Sequence, residues 1–281
     1  MLSKPHQQRP KLGSPLALLS RFIMRNIRRL IFTTGLLVWL SAALIAAYGY
    51  QLQQSLPKES RLSFPAIRAH AESVLVVNSI DSSINNSIQW ISLNQVNRDL
   101  LNAIVLSEDD RFFIHDGINY DALLTALIDN MKSQQWRFGD DTISQQVANA
   151  LYLSGNHNLT KKLQQLLITQ RLEQALSKNQ ILELYLNTIE LGPGLFGIGN
   201  ASQYYFNKEA SKVNAAEGAY LALLIPSVRK YHYSLYQNGN WSPALKKKHQ
   251  RILREMRHKK LISQREFKQH AKWVYEKNAY L

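Results

Sequence analysis

Hydrophobic and polar positions divide the chain into unlike stretches. Leu30 to Tyr50 runs 21 residues without a charge (LIFTTGLLVWLSAALIAAYGY), long enough at about 1.5 Å rise per residue to cross a hydrocarbon core of about 30 Å. The pattern predicts a membrane-spanning helix. A cleaved signal peptide is the rival reading, although its apolar region is ordinarily only about 7–15 residues. Gln51 to about Ser87 reads as a linker with Pro57, Pro65, a polar SIDSSINNS stretch and one short β-like run, Val74-Leu75-Val76-Val77. From Trp90 onward the periodicity is helical. Ser177-x-x-Gln180, Asn214-x-x-Glu217 and Ser263-x-x-Glu266 each read as a capping box opening a helix, and Gly192-Pro193-Gly194 punctuates the middle. The pattern predicts a tail at 1–29, a span at 30–50, a linker at 51–89, and a compact all-α domain of about nine or ten short helices at 90–281.

Charge orients this plan. The 281 residues carry a formal net charge of +14. Residues 1–29 hold seven Lys/Arg and no Asp or Glu, so +7 remains for the other 252. A basic flank before the span places the N-terminus in the cytoplasm and residues 51–281 beyond the inner membrane. The tail reads as irregular up to about Leu16, with its juxtamembrane arginines against anionic lipid heads. The chain has no cysteine and therefore no disulfide, which fits an envelope compartment. The basic run KKKHQRILREMRHKK (246–260) could bind nucleic acid elsewhere; behind a span it reads as a solvated helix face or a contact with anionic lipid.

Candidate chemistry lies between Glu108 and Pro226. Glu108 stands at an expected helix end, followed by Asp109, Phe112, His115 and Gly117. A partly desolvated carboxylate there has the properties of a general base; adjacent acids near a turn also serve as solvated caps. Four further segments follow in order: GDDTISQQVANALYL, KKLQQLLITQRLE, ILELYLNTIELGPGLFGIGNASQYYF and EGAYLALLIPSVRKY.

Taken together, the five segments resemble the motifs of the family 51 peptidoglycan glycosyltransferases, over about Trp90 to Tyr231. Because the chain ends at Leu281, the monofunctional, membrane-anchored type is the closer likeness. The resemblance implies a lysozyme-like all-α domain. It also implies lipid II as acceptor, a lipid-linked glycan as donor and undecaprenyl pyrophosphate as leaving group. By resemblance Glu108 deprotonates the acceptor hydroxyl, and Gln146, Lys161 and Lys162 hold the phosphates. Asp109, Phe112, His115, Thr142, Gln145 and Asn149 fall in the substrate region, with Gln165 at a second site.

Several positions depart from the family pattern. Asn149 replaces its lysine, Ala150 an asparagine, Lys161 an arginine and Gln165 a glutamate; Asp140 and Asp141 replace a small residue and a serine. Lys161 keeps the charge but lacks the planar fork of arginine. Asp141 reads as a helix N-cap ahead of a Thr142-x-x-Gln145 box. As an anion at a helix N-terminus, it also competes for the dipole a phosphate would use. Asp140 and Asp141 are the candidate ligands for a divalent metal, Mg or Mn, and Arg137 or Arg171 are candidate compensating cations. Leu159, Leu163, Leu166 and Leu167 read as a core stripe, Tyr204-Tyr205-Phe206 as core, and His157 and His232 do not read as ligands, since no second His or carboxylate stands at metal spacing. Two functions stay open at this point. One is a glycosyltransferase that polymerises lipid II; the other is a weakened or inactive relative that binds lipid-linked precursors or other cell-wall synthesis proteins.

Overall fold

A computed structural model of the protein describes residues 15–58, 62–79, 89–133, 139–155 and 158–276. Two compact units divide the chain, 1–55 and 56–281.

The first unit is one helix, α1 (Pro15–Gln54), about 60 Å long at the α-helical rise. Its stretch Leu19–Gln54 is long and apolar enough to cross a membrane. Phe32, Trp39 and Leu44 are exposed along it. The helix outruns the 21-residue apolar stretch at both ends because arginine is a good helix former, so Arg21 to Arg29 extend the helix. Residues 1–14 of the tail lie outside the described residues.

The second unit begins at Leu56, not at Trp90. The reason is α2 (Phe64–Ser79), which buries Ile67, Ala71 and Leu75 in the core. Those residues are spaced by four, the period of one helical face. The run Val74–Val77 therefore lies in a helix, with Val76 and Val77 exposed, and the β-like expectation is corrected.

Around this core stand α3 (Arg98–Glu108), α4 (Tyr120–Ser133), α5 (Ile143–Tyr152), α6 (Leu159–Ala175) and α7 (Lys178–Thr188). A short antiparallel pair follows, β1 (Glu190–Gly192) with β2 (Leu195–Phe196). Then come α8 (Ile198–Phe206), α9 (Ala215–Leu224), α10 (Val228–Tyr231), α11 (Pro243–His258) and α12 (Gln264–His270). The three capping boxes read from the sequence open α7, α9 and α12. Every residue of α9 is buried, as a helix apolar on all sides should be. It packs between α3 and α11. A Cβ at Gly218 would stand 2.9 Å from the Leu100 Cα, so α3 approaches α9 closely only because that residue is glycine.

α6 reverses an expectation. Leu159, Leu163 and Leu167 are exposed, while Gln165, Ile168, Thr169 and Leu172 are buried. Gln165 turns inward to donate its amide protons to Asp141 and the Gln145 carbonyl, whereas the buried Thr169 hydroxyl has no hydrogen-bond partner. Tyr205 and Phe206 are core, as read from the sequence. The basic run of α11 is amphipathic: Leu245, His249, Ile252, Leu253 and Met256 are buried, and His249 Nε2 lies 2.9 Å from the Ala216 carbonyl of α9.

Candidate active site

The C-terminal end of α3 and the N-terminal end of α5 are tied by the turn between Asp109 and Gly117. Asp109 is buried. Its Oδ1 and Oδ2 lie 2.9 and 3.0 Å from His115 Nε2, and Oδ2 accepts from the Ile143 N–H at 3.1 Å. The Gly117 N–H donates to His115 Nδ1 at 3.0 Å. That bond network assigns the ring proton to Nε2, which donates to Asp109. Thr142 Oγ1 donates to the Gly117 carbonyl at 2.7 Å and accepts from the Gln145 N–H at 3.2 Å, and Gln145 Oε1 accepts from the Thr142 N–H at 2.9 Å. Gly117 has φ +80°, and a Cβ there would lie 2.6 Å from Glu173 Cγ, so the turn admits only glycine. Asp109, Phe112, Thr142 and Gln145 are all buried; their geometry is that of a frame holding the two helix ends.

Glu108 closes α3 beside this frame. Its Oε2 accepts from Gln146 Nε2 at 3.2 Å. Burial raises its pKa above the ordinary glutamate value; the Gln146 hydrogen bond and the positive charge of Lys248 pull it back, and Asp140 pushes it up again. Lys248 belongs to α11 and is itself pulled down by burial, with Glu108 opposing that shift. Its approach to Glu108 was not legible in the sequence, because 140 positions separate the two and the basic run offers many equivalent lysines. Gln146 binds Glu108 and also lines a cavity together with Lys161. Its Nε2 also lies 3.4 Å from the Asp141 carbonyl, and its Oε1 accepts from the Tyr185 hydroxyl at 3.4 Å.

Two cavities open beside α5, the larger bordered by Gln146, the partner of Glu108. The larger, about 410 Å³, is lined by Gln146, Asn149, Lys161, Tyr185, Glu190 and Phe196 among others. The smaller, about 220 Å³, is lined by Asp141, Asn149, Asn158, Lys161, Lys162 and Gln165 with Gly139. Asn149 and Lys161 line both, so the two spaces adjoin.

Asp141 is the centre of the smaller cavity. Lys162 Nζ donates to its Oδ1 at 2.6 Å; Gln165 Nε2 and Asn149 Nδ2 donate to its Oδ2 at 2.7 and 3.1 Å. The N-cap of α5 is Thr142, so the expectation of Asp141 as the cap is corrected: its carboxylate is drawn away from the helix by three stronger partners. Gln165 uses its amide protons on Asp141 and the Gln145 carbonyl (3.3 Å), and its buried Oε1 has no hydrogen-bond partner. Among the described residues no group of three or more His, Cys, Asp and Glu is placed to hold a metal. Asp140 is exposed. Both Asp141 oxygens are engaged, so a divalent ion would have to displace Lys162, and the donor set does not fit one. Arg171 donates to the Pro57 carbonyl at 2.8 Å, which commits it away from the pocket. Arg137 and His157 lie outside the described residues. His232 is buried, with Nδ1 2.9 Å from the Tyr205 hydroxyl.

Residues 76–257 match the transglycosylase family. The chain belongs to the transglycosylase family. It is 41% identical over 165 residues to a biosynthetic peptidoglycan transglycosylase of Nitrosomonas eutropha, covering 59% of this chain and 66% of that one. Similar enzymes of Nitrosospira multiformis and Chromobacterium violaceum are 40% and 38% identical over 168 residues, 60% of this chain and 71% and 72% of theirs. The chain thus spans about two thirds of the length of these relatives. The matched stretch of the transglycosylase runs from the end of α2 to the end of α11, so Glu108, the Asp141 pocket and Lys248 all fall within it. The all-α, lysozyme-like class read from the motifs is that of the family.

Proposed function

We propose that this transglycosylase polymerises lipid II into glycan strands with release of undecaprenyl pyrophosphate, α1 holding it in the inner membrane with the N-terminus in the cytoplasm and residues 56–281 on the far side. The observation that carries the reading is the half-buried Glu108, with a raised pKa, bonded to Gln146 in the wall of a cleft that Lys161 also lines. A carboxylate so placed takes the proton of the acceptor hydroxyl as that oxygen attacks the donor sugar. The developing charge on the leaving diphosphate is met by Lys161 and Lys162. Membrane lipid and the lipid-linked glycan are the partners this requires, and other cell-wall synthesis proteins are compatible with it. No step is assigned to a metal. The binding-only alternative is not favoured by the relatives, whose names are those of synthetic enzymes.

The test is polymerisation of purified lipid II by the full-length protein in detergent. Wild type should make strands, and Glu108→Gln should lower turnover by ~10²–10⁴-fold. Equal turnover in both proteins would remove Glu108 as the base.

A further inference from the structure

The smaller cavity contains an anion of its own. Lys162 is the cation best placed to meet a diphosphate there, since its side chain is 9% exposed and held in one position. Its nearest charge is Asp141 Oδ1 at 2.6 Å. Two neutral amides, Asn149 and Gln165, also turn their N–H groups onto the same carboxylate. Three donors converging on one oxyanion is the pattern by which proteins bind carboxylate or phosphate groups. Here the bound oxyanion is part of the chain. The orphaned Gln165 Oε1 shows the cost of the arrangement: the amide gives its protons to Asp141 although this leaves its own acceptor buried without a donor.

We propose that Asp141 is an internal competitor of the substrate diphosphate, occupying Lys162, Gln165 and Asn149 in the free enzyme and setting how tightly the pocket holds the leaving group. This rests on the reading of the pocket as the diphosphate site. A diphosphate entering the cavity takes Lys162 only by displacing the Asp141 carboxylate, which otherwise lies beside it as a like charge. Affinity for the anion is reduced by the free energy of that displacement. Release of the product is accelerated by the same amount if the carboxylate returns in the exit step. Asp141 therefore acts on KM and on product retention through Lys162, and makes no bond in the reaction.

Inorganic pyrophosphate is the probe, titrated against the full-length protein in detergent in the absence and presence of magnesium. Wild type, Asp141→Asn, Lys162→Met and the double variant complete a cycle, with thermal melting as a check that each is folded. Asp141→Asn keeps the shape and an acceptor for the amides. It should tighten pyrophosphate by roughly tenfold, while in the Lys162→Met background the same change should alter affinity less than about twofold, because directly coupled residues are non-additive. Polymerisation by Asp141→Asn should show a lower KM and stronger inhibition by pyrophosphate. Unchanged or weaker pyrophosphate binding in folded Asp141→Asn overturns the proposal. Weakening seen only with magnesium would do so by making the carboxylate a cation ligand. An equal gain in both backgrounds would also overturn it, as a general field effect. Should wild type make no glycan while Asp141→Asn still gains affinity through Lys162, the competitor stands and the polymerase reading falls.

Discussion

The centre around Glu108 and the pocket around Asp141 are neighbours built on opposite plans. In the frame beside Glu108 most supporting bonds end on the backbone: Asp109 takes the Ile143 N–H, His115 takes the Gly117 N–H, and Thr142 donates to the Gly117 carbonyl. At Asp141 they run mainly between side chains, Lys162, Gln165 and Asn149 all meeting one carboxylate. A bond to the backbone couples a residue to the path of the chain, so replacing it costs fold as well as chemistry. A bond between side chains can be rebuilt when both partners change. The departures from the family pattern fall in the second plan, where acid and amide can be redistributed among positions 141, 149 and 165 without moving a helix.

The largest effect that would sharpen this contrast is at Lys162. Lys162→Met should reduce turnover by ~10²–10³-fold, the usual cost of losing one charge-assisted contact to a developing anion. Its melting temperature should change little, because its ion-pair partner Asp141 is a side chain that is itself partly exposed. A collapse of stability would show that the pocket, too, is part of the frame.

Asp109 should behave in the opposite way. Asp109→Ala leaves the Ile143 N–H and His115 Nε2 buried without their acceptor, at about 1–3 kcal/mol for each group. For a domain of this size a loss of 1 kcal/mol lowers Tm by roughly 2–4 °C, so a fall of several degrees is expected in thermal melting. An unchanged Tm would break the claim that this side chain joins α3 to α5.

The smallest effect concerns Glu108 itself and carries a sign. Burial raises its folded pKa, so its neutral form is the one the fold prefers. The contribution is complete below the unfolded pKa and is lost as pH rises through the folded one. Glu108→Gln should therefore melt slightly above wild type at neutral pH, the difference shrinking as pH falls. The kcat/KM of wild type should rise with pH through the same raised value, since the base works ionised. A variant that melts lower at neutral pH would mean that the ionised carboxylate is stabilised by Lys248 beyond the cost of its burial.

Much of this was legible in the sequence, for a physical reason. Helix caps are local: Ser177, Asn214 and Ser263 close their boxes within four residues, and the structure forms all three. The apolar stretch of α1 needs no partner to be recognised. What escaped is long-range. Val74–Val77 has the side chains of a strand, yet Ile67, Ala71 and Leu75 are captured by the core as a helical stripe and override that preference. Leu159, Leu163 and Leu167 of α6 lost their place in the core to Gln165 and Thr169, a choice no periodicity of apolar residues can reveal. Asp141 resembled a cap until Lys162 and Gln165, 21 and 24 positions away, were seen to claim its carboxylate. Lys248 reaches Glu108 only because α11 packs on α3.

The account's central claim is that base and anion pocket are separate parts with separate duties. Glu108→Gln measures that directly when lipid II binding and lipid II polymerisation are followed in the same preparation. The account predicts binding close to wild type, because the Lys162–Asp141 pocket is untouched, with turnover lower by ~10²–10⁴-fold. Polymerisation at the wild-type rate, or loss of binding in step with turnover, would contradict it.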